Sequence, residues 1–145
     1  MPEPIVVEPG DGEVIPPFGP VIKAASELSG GAFTVIEALL MPGESGPPMH
    51  LHRSHDESFY VIDGVATLLS ADAEHDLGVG GYAFVPRGTP HTITNRSEDD
   101  AVRYLAIASG GLECLAAELR EADDDATRAV LERYDTELLS GGPDE

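Results

Sequence analysis

Proline and glycine interrupt the first 111 residues at short intervals: Pro9-Gly10, Pro16 to Pro20, Gly30-Gly31, Pro42-Gly43, Gly46 to Pro48, Gly80-Gly81, Pro86 to Gly88 and Gly110-Gly111. Long helices do not survive such punctuation, because proline lacks an amide donor and glycine resists ordering. The runs between are rich in β-branched and aromatic residues: Phe33–Leu40, Ser58–Ile62, Val65–Leu69, Tyr82–Val85, His91–Thr94 and Arg103–Ala108. Short strands separated by turn signals predict an antiparallel all-β sandwich or barrel. Asp63-Gly64, between two such runs, predicts a tight hairpin turn.

Past Gly111 the period changes. Leu112, Leu115, Ala116 and Leu119 repeat at i, i+3, i+4 and i+7, which makes one helix face apolar. Asp123 to Asp125 suit the positive end of a second helix, with Val130, Tyr134 and Leu138 along one side. Both helices are expected to pack on the barrel or on a partner subunit. The organisation expected is therefore one domain: residues 1–111 as barrel with N-terminal strands, and residues 112–145 as a helical extension. At 145 residues the chain is long enough to bury a core without disulfides or a structural metal.

Twenty-seven acidic residues stand against eight basic ones, for a net charge of −19 spread along the whole chain. That balance repels nucleic acid and anionic lipid. The start, MPEPIVVEPG, has neither the basic region nor the apolar region of a signal peptide, and no run approaches a membrane span. A lone cysteine, Cys114, cannot form an internal disulfide. A cytoplasmic protein with no nucleic-acid or membrane partner is expected.

The chemistry concentrates in HLHRSHDESFYVIDG, His50 to Gly64. Ser54, His55 and Asp56 spell a catalytic triad in letters, but adjacent side chains diverge and cannot align as nucleophile, base and orienter. A metal site fits better. His50 and His52, two apart on a strand, point the same way. Glu57 begins the next strand; if it faces inward, Phe59 and Val61 follow it and wall the cavity. A fourth ligand candidate is His91 in VPRGTPHTITN, where a turn at Pro86 to Gly88 leads into a new strand. Three imidazoles and one carboxylate suit Fe, Mn, Co, Ni, Cu or Zn and leave positions for water, oxygen or substrate. His55 and His75 are expected to face solvent, Tyr60 to point out of the barrel, and Asn95 to tie down a strand end.

These two stretches resemble the paired motifs of the cupin superfamily. His50, His52, Glu57 and Gly64 match the first, G-x5-H-x-H-x3–4-E-x6-G, with Glu44 where the leading glycine is usual. Gly80, Pro86, Gly88, His91 and Asn95 match the second, G-x5-P-x-G-x2-H-x3-N, throughout. The similarity extends over most of the chain to single-domain cupins called quercetin 2,3-dioxygenase-like. It implies a double-stranded β-helix (a jelly-roll barrel) holding one divalent transition metal ion on His50, His52, Glu57 and His91.

Such a resemblance leaves several activities open. The first expectation is a dioxygenase acting on a small enolic or phenolic compound, a flavonol or aromatic polyketide, in a pocket walled by Phe59, Val61 and Ile93. Glu57, which doubles as a base in quercetinase-like enzymes, would take the phenolic proton. The alternatives are an oxygen-independent isomerase, cyclase or lyase, and a non-catalytic module that binds a small molecule or metal. The resemblance also implies a homodimer formed through N-terminal strands, and an edge such as Ile5–Val7 would profit from a partner.

Overall fold

A computed structural model describes residues 3–14, 21–25, 27–111 and 124–139. The six predicted runs and the His50–His52 stretch all form strands, and the described residues hold four further ones where no run was predicted, at Glu13–Val14, Val21–Ala24, Glu74–Leu77 and Thr136–Leu138. In chain order the strands are β1 (Glu13–Val14), β2 (Val21–Ala24), β3 (Phe33–Leu40), β4 (His50–His52), β5 (Glu57–Asp63) and β6 (Ala66–Ser70). After them come β7 (Glu74–Leu77), β8 (Tyr82–Val85), β9 (His91–Thr94), β10 (Val102–Ser109), the helix α1 (Asp124–Arg133) and β11 (Thr136–Leu138). Among the described residues the strands make two antiparallel sheets, ordered β1-β2-β3-β10-β5-β8 and β11-β4-β9-β6-β7. The chain passes from one sheet to the other and back, winding as a double-stranded β-helix.

One core fills the space between the sheets. Ala38, Phe59, Val61, Val85, Val102 and Tyr104 come from the first sheet, and Ala66, Leu68 and Ile93 from the second. Period-two alternation decides which side chains enter it. On β5, Phe59 and Val61 are buried while Tyr60 and Ile62 are exposed. Leu39, Tyr82 and Phe84 are likewise exposed on their strands of the first sheet. The alternation on β5 breaks at its end, where Arg103 pairs with Asp63 but the next residue, Tyr104, pairs with Val61. Ile62 is the extra residue of a bulge, which bends the strand toward its corner.

Three expectations need correction. Asp63-Gly64 does not close a hairpin: β5 and β6 lie in different sheets, so the pair turns a corner between them. Gly64 is required there by its φ of +79° and because a Cβ would lie 2.4 Å from the Ala101 carbonyl oxygen. Gly64→Ala is expected to destabilise the fold by about 2–4 kcal/mol, from backbone strain plus displacement of the β10 backbone. Urea unfolding measures this as a lower midpoint at unchanged slope.

The second correction concerns the C-terminus. The helix predicted to run through Leu138 stops at Arg133. Asp135 adopts φ 51°, a left-handed conformation that reverses the chain, and Thr136–Leu138 becomes β11 beside β4. Val130, Leu131 and Tyr134 pack on Ala108, but Leu138 stands exposed on a strand. Thirdly, Ile5–Val7 is not in a strand, and Ile5 and Val6 are exposed. The helix expected around Leu112, Leu115, Ala116 and Leu119, with Cys114, lies outside the described residues. No described helix is long and apolar enough to cross a membrane.

Candidate metal centre

The sheets bring together what the sequence keeps apart. His50 and His52 lie on β4, and the ladder sets His50 directly opposite His91 on β9. Glu57 starts β5 in the facing sheet and reaches the histidines across the barrel interior. One nitrogen or oxygen from each of His50, His52, Glu57 and His91 falls within 4.8 Å of all the others. The Nε2 atoms of His91 and His52 lie 3.0 and 3.5 Å from Glu57 Oε2. Ligands about 2.1 Å from a shared ion sit roughly 3.0–3.4 Å apart at octahedral or tetrahedral angles, so this donor set fits a divalent cation.

Hydrogen bonds on the far side of each ring settle which nitrogen is offered. His50 Nδ1 donates to the Pro48 carbonyl at 2.7 Å, and His91 Nδ1 to the Thr89 carbonyl at 2.9 Å. His52 Nδ1 lies 2.8 Å from the Thr136 hydroxyl. With Nδ1 occupied in all three, the Nε2 atoms remain for the centre, the arrangement seen wherever histidines hold a metal. Carbonyls at i−2 serve both His50 and His91, a local signal that the Pro48-Met49-His50 and Thr89-Pro90-His91 stretches carried. Nothing local announced Thr136, which is 84 residues from His52.

The electrostatics follow from burial against pairing. Burial alone would raise the Glu57 carboxyl, but hydrogen bonds from His52 and His91, and their charges, hold it down at about 2. Burial would likewise lower His91, yet the Glu57 hydrogen bond and charge win and raise it. His50 is pushed down to about 4 by burial and by the other two imidazoles. Tyr104 is also raised, by burial and by the charge of Glu57. The centre is thus a buried anion facing imidazoles, a setting that favours a cation.

Phe59, Val61 and Ile93 continue the same interior faces as Glu57 and His91. All three belong to the closed core, at 3%, 0% and 3% exposure, and the Phe59 ring lies 6.1 Å from that of His91. His55 differs from expectation: it is half-buried, with Nδ1 3.2 Å from the Ser109 hydroxyl and its ring 6.4 Å from that of His52. His75 is exposed, as is Tyr60. Asn95 is buried and donates to the carbonyls of Leu40, Met41 and Asp100, so it ties the end of β3 to the loop that leads into β10. The Pro86 to Gly88 turn also anchors the site, since the Gly88 amide donates to the His52 carbonyl at 2.6 Å.

Comparison with known proteins agrees with this geometry. Over 79 residues the chain is 32% identical to quercetin 2,3-dioxygenase of Bacillus subtilis, a match covering 52% of this chain and 23% of that enzyme. A sugar phosphate isomerase of the cupin superfamily from Silicibacter pomeroyi superposes with a TM-score of 0.55 at 25% identity, covering 64% of this chain and 60% of that one. KdgF from Halomonas sp. shares the fold, with a TM-score of 0.55 at 21% identity over 63% of this chain and 77% of its own. The Cupin_2 pattern, described as a cupin domain, matches residues 36–108, half of the chain, and encloses all four donors. The chain belongs to the cupin domain family.

Proposed function

We propose that the protein is a metal-dependent dioxygenase acting on a small, uncharged enolic or phenolic compound of the flavonol or aromatic polyketide type. The observation that carries this reading is the gathering of one ring nitrogen from each of His50, His52 and His91 and one Glu57 carboxylate oxygen within 4.8 Å of one another in the barrel interior. The likeness to quercetin 2,3-dioxygenase supports the choice among cupin reactions. Fe, Mn, Co, Ni, Cu and Zn all suit the donor set. Such an ion, held by His50, His52, Glu57 and His91, supplies a Lewis acid that polarises a bound oxygen donor.

The rest of the work falls to the chain. Phe59, Val61 and Ile93 belong to the apolar core on the same strands as Glu57 and His91, and the Phe59 ring rests 6.1 Å from that of His91. Charge argues for a neutral substrate. Arg53, Arg87, Arg96 and Arg103 are each paired with a carboxylate, of Glu137, Asp56, Glu74 and Glu37 respectively. These exposed pairs, set in a net charge of −19, disfavour capture of an anionic group at these four arginines. This weighs against the sugar phosphate chemistry of the Silicibacter pomeroyi relative.

Glu57 is assigned as the base that takes the phenolic proton. While His52 and His91 donate to it, its carboxyl is too acidic for that task. The charged carboxylate is also favoured by an ion on those ring nitrogens, so Glu57 takes the proton only while it is released from the ion. Glu57→Gln is therefore expected to keep partial metal binding and to lower turnover by at least about a hundredfold. A fully active Glu57→Gln protein would remove the base assignment.

The deciding experiment is oxygen uptake by protein reconstituted separately with Fe, Mn, Co and Ni, against flavonols and other enolic phenols. Substrate-dependent uptake is the expected result. Turnover of the substrate without uptake would instead establish an oxygen-independent isomerase, cyclase or lyase. Stoichiometric metal with no turnover at all would leave a binding role.

A further inference from the structure

Two of the three histidines at the centre lean on backbone carbonyls, which no substitution can remove; the third leans on a side chain. We propose that Thr136 is a positioning residue for the metal centre, and that strand β11, outside the residues matched by the cupin pattern, is therefore part of the site. This inference rests on the metal-binding reading above and extends it to the C-terminal segment.

The hydrogen-bond directions support it. The Thr136 hydroxyl has one proton, and it donates that proton to the Tyr134 carbonyl at 3.2 Å. Its oxygen is then free to accept from His52 Nδ1–H, 2.8 Å away. The relay holds a proton on Nδ1, so that Nε2, the atom that faces Glu57, is the one an ion would take in place of the proton shared with Glu57. Thr136 is itself buried, so water does not readily replace it.

The strand is seated on β4 along its whole length. Thr136, Glu137 and Leu138 pair with His52, Leu51 and His50. The ladder is extended at both ends, by the Arg53 amide donating to the Asp135 carbonyl and the Leu139 amide donating to the Met49 carbonyl, each at 2.9 Å. Arg53 pairs with Glu137, and the Ser54 hydroxyl donates to the Asp135 carboxylate. Six successive residues of the metal strand region, Met49 to Ser54, are thus held by the C-terminal segment. Behind β11, α1 packs on Ala108 of β10, which fixes the segment to the opposite sheet as well.

The test compares Thr136→Val, which keeps the shape and deletes the acceptor, with Thr136→Ser, which restores it. Affinity for Co and Zn is measured by chelator competition. Long-range proton–nitrogen spectra of the metal-free protein report the protonation pattern of the His52 ring. Thr136→Val is expected to bind either ion about 10- to 100-fold more weakly, with Thr136→Ser close to the parent protein. The spectra should show His52 Nδ1 protonated in the parent and in Thr136→Ser, whatever the state of Nε2, and show that Nδ1 occupancy reduced in Thr136→Val. Unchanged metal affinity in a folded Thr136→Val protein overturns the proposal, as does a Thr136→Ser protein as weak as Thr136→Val. A parent protein that binds neither ion overturns the metal reading itself, while the His52 spectra still decide whether Thr136 sets the ring.

Discussion

His91→Ala is expected to weaken divalent-metal binding by on the order of a thousandfold, and to destabilise the metal-free protein by about 3 kcal/mol. Both effects arise from one side chain. Losing an outer hydrogen-bond partner already costs about 10- to 100-fold in metal affinity, and a missing ligand costs more. In the metal-free protein His91 is the nearer partner of Glu57, at 3.0 Å against 3.5 Å for His52. Its removal leaves a carboxylate with only 11% of its side chain exposed facing one distant imidazole. A buried charge stripped of its partner is the costly case, whereas a pair removed together need not be.

Urea unfolding with and without metal separates the two terms. In the parent, metal at about a hundred times its dissociation constant should add roughly 2.7 kcal/mol. At the same concentration His91→Ala should gain almost nothing. Equal stabilisation of both proteins would show that the ion binds elsewhere. The double variant His91→Ala with Glu57→Gln should recover part of the metal-free stability but none of the metal affinity, because it removes the stranded charge without restoring a ligand.

Phe59→Ala is expected to cost about 3–5 kcal/mol, the largest loss of stability from a single core truncation near the centre. The ring is 3% exposed, packs edge-on against Tyr104 at 5.8 Å and lies against His91. Alanine at this position leaves a cavity that two sheets, each held by ladder hydrogen bonds, cannot collapse to fill. Phe84 on the adjacent strand β8 is the control. It is 56% exposed, on the outer side of the same sheet, and its truncation should change stability by no more than about 0.5 kcal/mol. Similar losses at both positions would contradict the assignment of inward and outward faces. Phe59→Ala should also loosen metal binding, since His91 loses the surface against which its ring rests.

The hairpin expected at Asp63-Gly64 shows where local reading stops. A hairpin and a corner between sheets both need a turn residue with positive φ flanked by alternating strands, so the same letters serve either. The choice depends on which partners the two strands find, and those are distant: β10 and β8 for β5, β9 and β7 for β6. The C-terminus fails for a related reason. Val130, Tyr134 and Leu138 keep helical spacing, but Asp135 turns left-handed with its carboxylate and carbonyl held by Ser54 and Arg53, about eighty residues upstream. Strand pairing with β4 outweighs continuation of a helix by one more turn.

The sequence by itself determined six strand runs and the turn glycines, because each rests on short-range chemistry, and its two motifs, through their resemblance to those of cupins, marked His50, His52, Glu57 and His91 as donors. Period-two alternation, φ restrictions and the two-residue spacing of a strand act within a few residues and leave their mark in the order of letters. Only the tertiary structure decided that Glu57 meets the histidines from the opposite sheet, that Phe59, Val61 and Ile93 join one core between the sheets, and that Thr136 backs His52. Those contacts join residues far apart in the chain, and their geometry is set by strand register and sheet packing, which no local pattern encodes.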